Sequence, residues 1–230
     1  MLTASLVRKI ARFFPSAVFY KDTPLRKIAI TIDDVGGRDS WEILTVLTEF
    51  NQTISSPDKT AHVTFFVITN SLPTAPGLLT ELIRQGHEIG NHGCKDHRHA
   101  NLSSVAFRNE IQQAHQILTT TVDAPIQWFR PGQVLYNRAM LQTLKALPGY
   151  HPQFALGSAF PLDTRWPTCK PGFTLPYLSQ FIFPGAILVL HGGTAQRSAS
   201  TAQVLRQLLP RLHQQGYQMV TLSKLWAGGS

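Results

Sequence analysis

Residues 90–99, with the sequence GNHGCKDHRH, concentrate side chains that can bind a metal ion. The segment offers imidazole nitrogens, a carboxylate and a thiol, on His92, Cys94, Asp96, His97 and His99. These are the groups that bind zinc in proteins. A polar, histidine-rich loop without a metal would have the same composition, so this segment alone does not establish a site.

Ionisable residues also follow several short apolar runs elsewhere in the chain. They are Asp33 and Asp34 after KIAITI, Arg130 after IQWF, Asp163 beyond QFALG, and His191 after AILVL. One aspartate at such a place is often a turn or helix-capping residue, and one histidine can be simply packed. Because the carboxyl ends of parallel strands meet at one rim, the recurrence favours a single site. Three aspartates, an arginine and His191, joined by His92 after the run 87–91, suit metal-assisted hydrolysis at one rim.

The elements that must position these residues alternate along the chain. Apolar runs predict buried strands at 27–32, 62–68, 87–91, 126–129, 153–157, 186–190 and 217–222. Helical spacing predicts helices at 40–50, 77–86, 103–122, 137–147 and 200–216, and Pro210 is expected to kink or break the last one. Segments 51–61 and 160–173 are expected to be irregular. The alternation predicts an α/β fold with a parallel sheet, and a closed barrel is favoured because no GxGxxG follows the first strand.

Composition limits the other classes of function. The chain has 230 residues, 43% of them hydrophobic, which suits one domain. Its two cysteines lie far apart and indicate neither a disulfide framework nor a zinc ribbon. The net charge of +8 comes from scattered basic residues without a nucleic-acid motif, so no nucleic-acid partner is predicted.

The first 20 residues contain Arg8, Lys9 and Arg12 within an apolar stretch. These charges do not fit a secretory signal, and no run reaches the roughly 20 apolar residues that span a bilayer. We expect a soluble, cytoplasmic protein without stable membrane insertion, and an extracytoplasmic location is the alternative. Residues 1–26 are expected to form an amphipathic segment packed on the domain, and the alternative is a helix that touches a membrane.

Five short motifs carry a family resemblance. TIDDVGG, NHGCKD, FRPG, DTRW and LVLHGG, in this order, resemble the motifs of the polysaccharide deacetylase family, the NodB-homology carbohydrate esterases. The most specific element is the Asp-Asp pair, followed by Asn-His and a late Leu-x-Leu-His. The resemblance covers residues 27–225 and implies that 27–230 form one catalytic domain with a distorted (β/α) barrel of about seven parallel strands. Family members remove N-acetyl groups from chitin or peptidoglycan, or O-acetyl groups from xylan.

The resemblance also implies roles for individual residues. Asp34 and His92 would bind a divalent metal ion, which would be Zn²⁺, with Mn²⁺ or Co²⁺ as alternatives. Asp33 would be the general base, oriented by Arg130. His191 would protonate the leaving amine, with Asp163 raising its pKa. A backbone N–H at Gly132 or Gln133 would stabilise the oxyanion, and Leu188 and Trp166 would wall the acetyl pocket or serve in the core.

The second motif departs from the family pattern, in which two histidines stand four residues apart. The fourth residue after His92 is Asp96. Asp96 could replace the second histidine, a one-residue insertion could bring His97 to its place, or the site could have lost its metal. We favour Asp96, because it preserves the spacing. Two aspartates and one histidine neutralise a divalent ion, so this site would be a weaker Lewis acid.

The sequence therefore predicts a metal-dependent hydrolase that removes acetyl groups from N-acetylated sugars of the chitin or peptidoglycan type. Retention of a base, its orienting cation and an acid favours an enzyme. The altered second motif favours the alternative, a weak or inactive deacetylase-like protein that binds glycans. A deacetylase or amidase acting on a small non-polymeric N-acyl substrate is a third possibility.

Overall fold

The structure is a computed structural model that describes residues 2–159, 162–164 and 168–228. Its strands are β1 (Ala17–Val18), β2 (Lys27–Val35), β3 (Thr64–Val67), β4 (Glu88–Asn91), β5 (Phe154–Ala155), β6 (Ile187–His191) and β7 (Gln218–Val220). Its α-helices are α1 (Leu2–Phe13), α2 (Ser40–Gln52), α3 (Leu78–Arg84), α4 (Ser104–Thr121), α5 (Arg138–Ala146), α6 (Pro171–Ser179), α7 (Ala195–Gln214) and α8 (Leu222–Ala227). The predicted α/β class is confirmed.

Five parallel strands form the main sheet, in the order β4-β3-β2-β6, and β7 pairs with the beginning of β2. The register places Asp33 of β2 opposite His191 of β6, and Val67 of β3 opposite Asn91 of β4. Every strand therefore delivers its carboxyl end to the same rim, as the sequence predicted for a parallel sheet. β1 and β5 form a separate parallel pair.

Hydrogen bonds outside these strands complete the circle. Phe129 forms a parallel bridge with Asn91 at the end of β4, and its carbonyl accepts from the Ala155 N–H of β5 at 3.0 Å. On the far side, the Ser158 N–H donates to the Ile187 carbonyl of β6 at 2.8 Å. The hydrogen-bonded segments thus enclose a distorted barrel.

The strand predicted at 126–129 is reduced to that single bridge, so this prediction was wrong in extent. Pro125 and Pro131 flank the segment and carry no N–H, which limits how far a ladder can continue in either direction. Backbone strand pairing in the barrel is therefore sparse at the segment that leads to Arg130. Pro210 was expected to kink or break the last long helix, and it does not break it, because α7 continues through it from Ala195 to Gln214.

α7 tolerates Pro210 because its buried face is anchored on both sides of that position. Leu205, Leu208, Leu209 and Leu212 are all fully buried in the main core. Apolar burial of this kind stabilises each side chain by about 1.5–3 kcal/mol, which offsets the lost backbone hydrogen bond. α6 begins inside the segment that was expected to be irregular, with Pro171 in the first turn, where a missing N–H costs little.

The helices surround the barrel, and the largest core cluster lies between them and the strands. Ile28, Ile30 and Ile32 of β2 are fully buried in this cluster, and Val7 of α1 also belongs to it. Within the described residues, none of the helices has the length and apolar character needed to cross a bilayer.

Candidate active site

β2 ends in a distortion that turns two successive carboxylates toward one cavity. Asp34 has φ 59°, and the pairing of β2 with β3 shifts register between Ile32 and Val35. Neighbouring residues of a regular strand point to opposite faces, whereas an irregularity of this kind redirects a side chain. Asp33 and Asp34 therefore both line a cavity of about 520 Å³ at the rim, and both are buried.

Asp33 is held by Arg130. The Arg130 Nη1 donates to Asp33 Oδ1 at 2.5 Å and to Thr31 Oγ1 at 2.8 Å. The other guanidinium nitrogens of Arg130 donate to the carbonyls of Ala155 and Leu156, at 2.7 and 3.0 Å. Arg130 is fully buried, so its charge is compensated by Asp33 and its orientation is fixed by four acceptors.

His191 lies beside Asp33, at the end of the neighbouring strand β6. Its Nδ1 is 2.8 Å from Asp163 Oδ1, and its Nε2 is 3.7 Å from Asp33 Oδ2. Burial alone would lower the pKa of His191, but Asp163, Asp33 and Asp34 outweigh it and raise the pKa to about 9. His191 is therefore protonated at neutral pH, with Nδ1 bound to Asp163 and Nε2 directed toward Asp33.

His92 and Asp34 form the part of the site that can bind a cation. The Nδ1 of His92 lies 2.8 Å from the Arg130 carbonyl, an acceptor only, so Nδ1 must carry a hydrogen. The Nε2 lone pair of neutral His92 then faces Asp34 Oδ1 at 3.4 Å, an arrangement that is favourable only with a cation or a proton between the two atoms. Metal-bound histidines donate their other N–H to a carbonyl in this way. These donors fit a divalent metal ion.

The lowered pKa of Asp34 also favours the binding of a cation, because it keeps the carboxylate ionised. Burial would raise the pKa of Asp34, but His92, His191 and Arg197 together hold it below its ordinary value. The pKa of His92 is raised, because Asp33 and Asp34 outweigh its burial. Arg197 Nη1 lies 3.3 Å from Asp34 Oδ2, so this arginine occupies the second oxygen of the carboxylate.

A second cluster lies next to this one, on the loop after β4. Within the described part of the chain, the one group of three His, Cys, Asp or Glu ligand atoms within 4.8 Å of one another belongs to His97, His99 and Glu110. His99 Nδ1 accepts from the Gly132 backbone N–H at 2.8 Å, so a neutral His99 carries its hydrogen on Nε2. That nitrogen has no lone pair to offer a metal ion. His99 therefore has the opposite tautomer to His92.

Glu110 holds this loop against α4. His97 Nε2 lies 2.8 and 2.9 Å from the two oxygens of Glu110, and the Cys94 N–H donates to the same carboxylate at 3.1 Å. Burial would raise the pKa of Glu110, but His99, His97 and the Cys94 N–H around the carboxylate lower it to about 2. The cluster is best described as a hydrogen-bonded brace that fixes the loop carrying His92.

The two candidates for the third ligand differ in position. Asp96 lines the cavity together with Asp33, Asp34 and His92, whereas His97 is absent from that lining and is engaged by Glu110. The ligand atoms of Asp34, His92 and Asp96 are not all within 4.8 Å of one another, so Asp96 would have to approach to complete a site.

Several residues around the cavity were not anticipated from the sequence. Arg98 and Arg197 both line it. Arg197 follows the end of β6 by six residues, and that nearness to the rim was the available signal. Glu110 lies within α4 and carries no comparable signal, because its partners come from a loop that helical periodicity does not describe.

Of the two residues expected to wall the acetyl pocket, Leu188 is among the described residues. Leu188 is fully buried in the main core and is absent from the cavity lining, which favours its core role. Trp166 lies outside the described residues. Leu162 and Leu135 contribute apolar surface to the cavity.

Comparisons with known proteins identify the family of this chain. Residues 20–151 match the family model described as polysaccharide deacetylase. A peptidoglycan-N-acetylglucosamine deacetylase of Bacillus cereus is 31% identical over 201 residues, which cover 86% of this chain and 87% of that protein.

Solved structures share the fold at lower identity. The Bc1960 peptidoglycan N-acetylglucosamine deacetylase superposes with a TM-score of 0.78 at 18% identity, covering 94% of this chain and 95% of the other. The wild-type BA3943 protein of Bacillus anthracis, described as a CE4 family pseudoenzyme, gives a TM-score of 0.74 at 19% identity, covering 92% and 69%. The same fold therefore occurs in a deacetylase and in a pseudoenzyme.

Proposed function

Since this chain belongs to the polysaccharide deacetylase family of hydrolases, we propose that it hydrolyses the acetamide group of N-acetylated sugars with the help of a divalent metal ion. The observation that carries the proposal is the pairing of Asp33 with Arg130 and of His191 with Asp163. These two pairs place a fixed carboxylate and a protonated imidazole 3.7 Å apart at one cavity wall. A base and an acid in this arrangement suit amide hydrolysis, which requires both.

Each member of the two pairs has one task. Asp33 accepts the proton of the attacking water, while Arg130 orients it through their hydrogen bond. His191 donates a proton from Nε2 to the leaving amine, which is a poor leaving group until it is protonated. Asp163 fixes the ring through Nδ1 and stabilises its charge.

Asp34, His92 and Asp96 would hold the metal ion, with zinc as the expected species. When bound, such an ion supplies Lewis acidity that makes water a nucleophile near neutral pH. The tautomer of His92 and the low pKa of Asp34 support these two ligands. Asp96 is preferred over His97 because it lines the cavity and because Glu110 engages His97.

Of the two backbone groups considered for the oxyanion, the Gln133 N–H is preferred. The Gly132 N–H is committed to His99. Gln133 lines the cavity and has φ 58°, and Val134 beside it has φ 54°, which is unusual for a β-branched residue. Unusual backbone geometry of this kind is often found at functional sites.

A second candidate function is sugar binding without efficient turnover. It is favoured by one observation, the contact of Arg197 with Asp34, which places a protein cation against a metal ligand. The pseudoenzyme of the same fold shows that this architecture does not guarantee catalysis.

The two functions are separated by an assay of acetate release from chitooligosaccharides and peptidoglycan fragments, with zinc content measured in parallel. We expect chelator-sensitive activity, reduced by at least 100-fold in Asp33→Asn with zinc retained, because one general base contributes about 10²–10⁴-fold. Asp123→Asn is the matched control, because Asp123 is exposed and is absent from the cavity lining. Sugar binding without acetate release in the zinc-loaded wild type would support the second function instead.

The third ligand is tested by zinc titration of Asp96→Ala and His97→Ala. We expect Asp96→Ala to lose most of its zinc affinity and His97→Ala to retain more of it. The reverse order would show that His97 leaves Glu110 to bind the metal ion.

A further inference from the structure

Helix α1 is only partly covered by the rest of the protein. Val7 is buried in the main core, but Leu6, Ile10 and Phe13 are 54%, 42% and 80% exposed. These three residues stand at i, i+4 and i+7, so they share one face of the helix. An apolar stripe this exposed on a single helix is more than the scattered exposure usual on soluble proteins.

The polar side of α1 carries only positive charge. Arg8, Lys9 and Arg12 are exposed, and residues 1–21 contain no aspartate or glutamate. Arg8 pairs with Asp22 at 3.1 Å, which leaves Lys9 and Arg12 as the cations that can meet an outside partner. Apolar residues on one side of a helix with cations on the other are typical of helices that lie in the interface of an anionic membrane.

The position of α1 connects this surface to the site. Ile10 and Phe14 border an apolar cavity of about 290 Å³ under the helix, together with Val134 and Tyr136. Val134 also lines the cavity that contains Asp33 and His191. Leu135, next to it, is 43% exposed. The apolar surface of α1 thus lies beside the rim of the candidate active site.

We propose that α1 docks the protein on the surface of an anionic phospholipid bilayer. Leu6, Ile10 and Phe13 enter the interface, and Lys9 and Arg12 meet the headgroup phosphates. The occupant is a lipid surface because the patch combines cations, no acids and apolar side chains on one short helix. Docking in this orientation holds the rim of the site close to the membrane, where it can reach sugars attached to that surface.

The test is co-flotation of the purified protein with vesicles of phosphatidylcholine, with and without phosphatidylglycerol. We expect binding only to vesicles that contain phosphatidylglycerol. Lys9→Gln with Arg12→Gln should weaken partitioning about 25-fold, since each basic residue contributes about fivefold near an anionic surface. Leu6→Ser with Phe13→Ser should weaken it at least about tenfold, from lost apolar burial.

Matched control variants replace the same kinds of side chain, apolar and cationic, at exposed positions outside α1. Leu25→Ser with Val105→Ser replaces two apolar residues that are 49% and 69% exposed, and Arg108→Gln with Lys145→Gln removes two exposed cations. Neither should change binding by more than about twofold. Circular dichroism verifies that each variant is folded.

Equal binding of the α1 variants and the wild type would overturn the proposal, as would absence of wild-type binding to either vesicle. Light scattering tests the alternative partner of the α1 surface, which is a second copy of the chain. A dimer that depends on Leu6 and Phe13 would identify that copy as the partner. Acetate release is measured separately on soluble oligosaccharides, so failure to bind vesicles and failure of the proposed activity are distinguishable.

Discussion

Replacing Asp163 by asparagine should move the pH dependence of the reaction rather than abolish it. The new amide keeps an oxygen that accepts from His191 Nδ1, but the change removes the charge that most strongly favours protonated His191. Burial opposes that charge, so the pKa of His191 should fall from about 9 toward or below its ordinary value of 6.5. The difference corresponds to about 3 kcal/mol of preference for the charged ring.

The size of the effect follows from the protonated fraction of His191. At pH 8 a group with a pKa of about 9 is roughly 90% protonated, and one with a pKa of 6.5 is roughly 3% protonated. Asp163→Asn should therefore lose roughly 30-fold in kcat/KM at pH 8, but less than about twofold at pH 6. The defect should grow as the pH rises, because the acid must carry its proton.

Two measurements check this reasoning. A pH profile of kcat/KM should show the alkaline limb of Asp163→Asn displaced to lower pH, and NMR titration of His191 reports its pKa independently of turnover. Asp123→Asn controls for the loss of one negative charge at a distance. An equal loss at pH 6 and pH 8, or an unchanged pKa of His191, would refute the assignment of Asp163 as the residue that tunes the acid.

Three further predictions concern the surroundings of the site. Arg130→Lys should lower the free energy of unfolding by at least about 3 kcal/mol in urea denaturation, because a lysine cannot donate to all four buried acceptors of Arg130. A loss below about 1 kcal/mol would contradict this. Gly90→Ala should cost about 1–3 kcal/mol, because its Cβ would lie 2.6 Å from Phe66 Cε1, while Gly172→Ala, with open space around it, should be near neutral; equal costs would contradict the packing. Arg197→Gln should tighten zinc binding about fivefold in calorimetry, because it removes a partly exposed cation 3.3 Å from Asp34. The control Arg206→Gln, farther along α7, should leave zinc binding unchanged. Weaker zinc binding by Arg197→Gln would show that Arg197 supports the site.

The positions of the central acids and bases were predictable because they depend on strand direction alone. Once strands 27–32 and 186–190 were known to be parallel, Asp33 and His191 had to reach the same rim, and the register places them side by side. The predicted strand bounds were accurate to within a few residues for the same reason, since buried apolar runs end where polar rim residues begin. The pairing of 126–129 was overestimated because apolar content does not reveal how few N–H groups are placed to join a ladder.

The surroundings of the rim were less predictable, because they depend on which loop and helix groups approach it. Arg197 lies beyond the end of β6 on another element, and only the fold shows that it reaches Asp34. Glu110 lies on a partly buried face of α4, and nothing in its spacing distinguishes it from a surface carboxylate. Such contacts join residues far apart in sequence, so no local pattern encodes them.

His92 and His99 show why residue type alone could not separate the candidate metal ligands from their neighbours. Both lie in one short segment and both are almost completely buried. His92 Nδ1 faces a carbonyl, so Nε2 keeps a lone pair toward Asp34, while His99 Nδ1 faces a backbone N–H, so its Nε2 carries hydrogen. In these tautomers, His92 has a nitrogen lone pair to offer a metal ion and His99 does not. Yet His99 is the one of the two that belongs to a group of three ligand residues whose atoms lie within 4.8 Å of one another. The backbone group opposite each ring therefore decides which of its nitrogens keeps a lone pair.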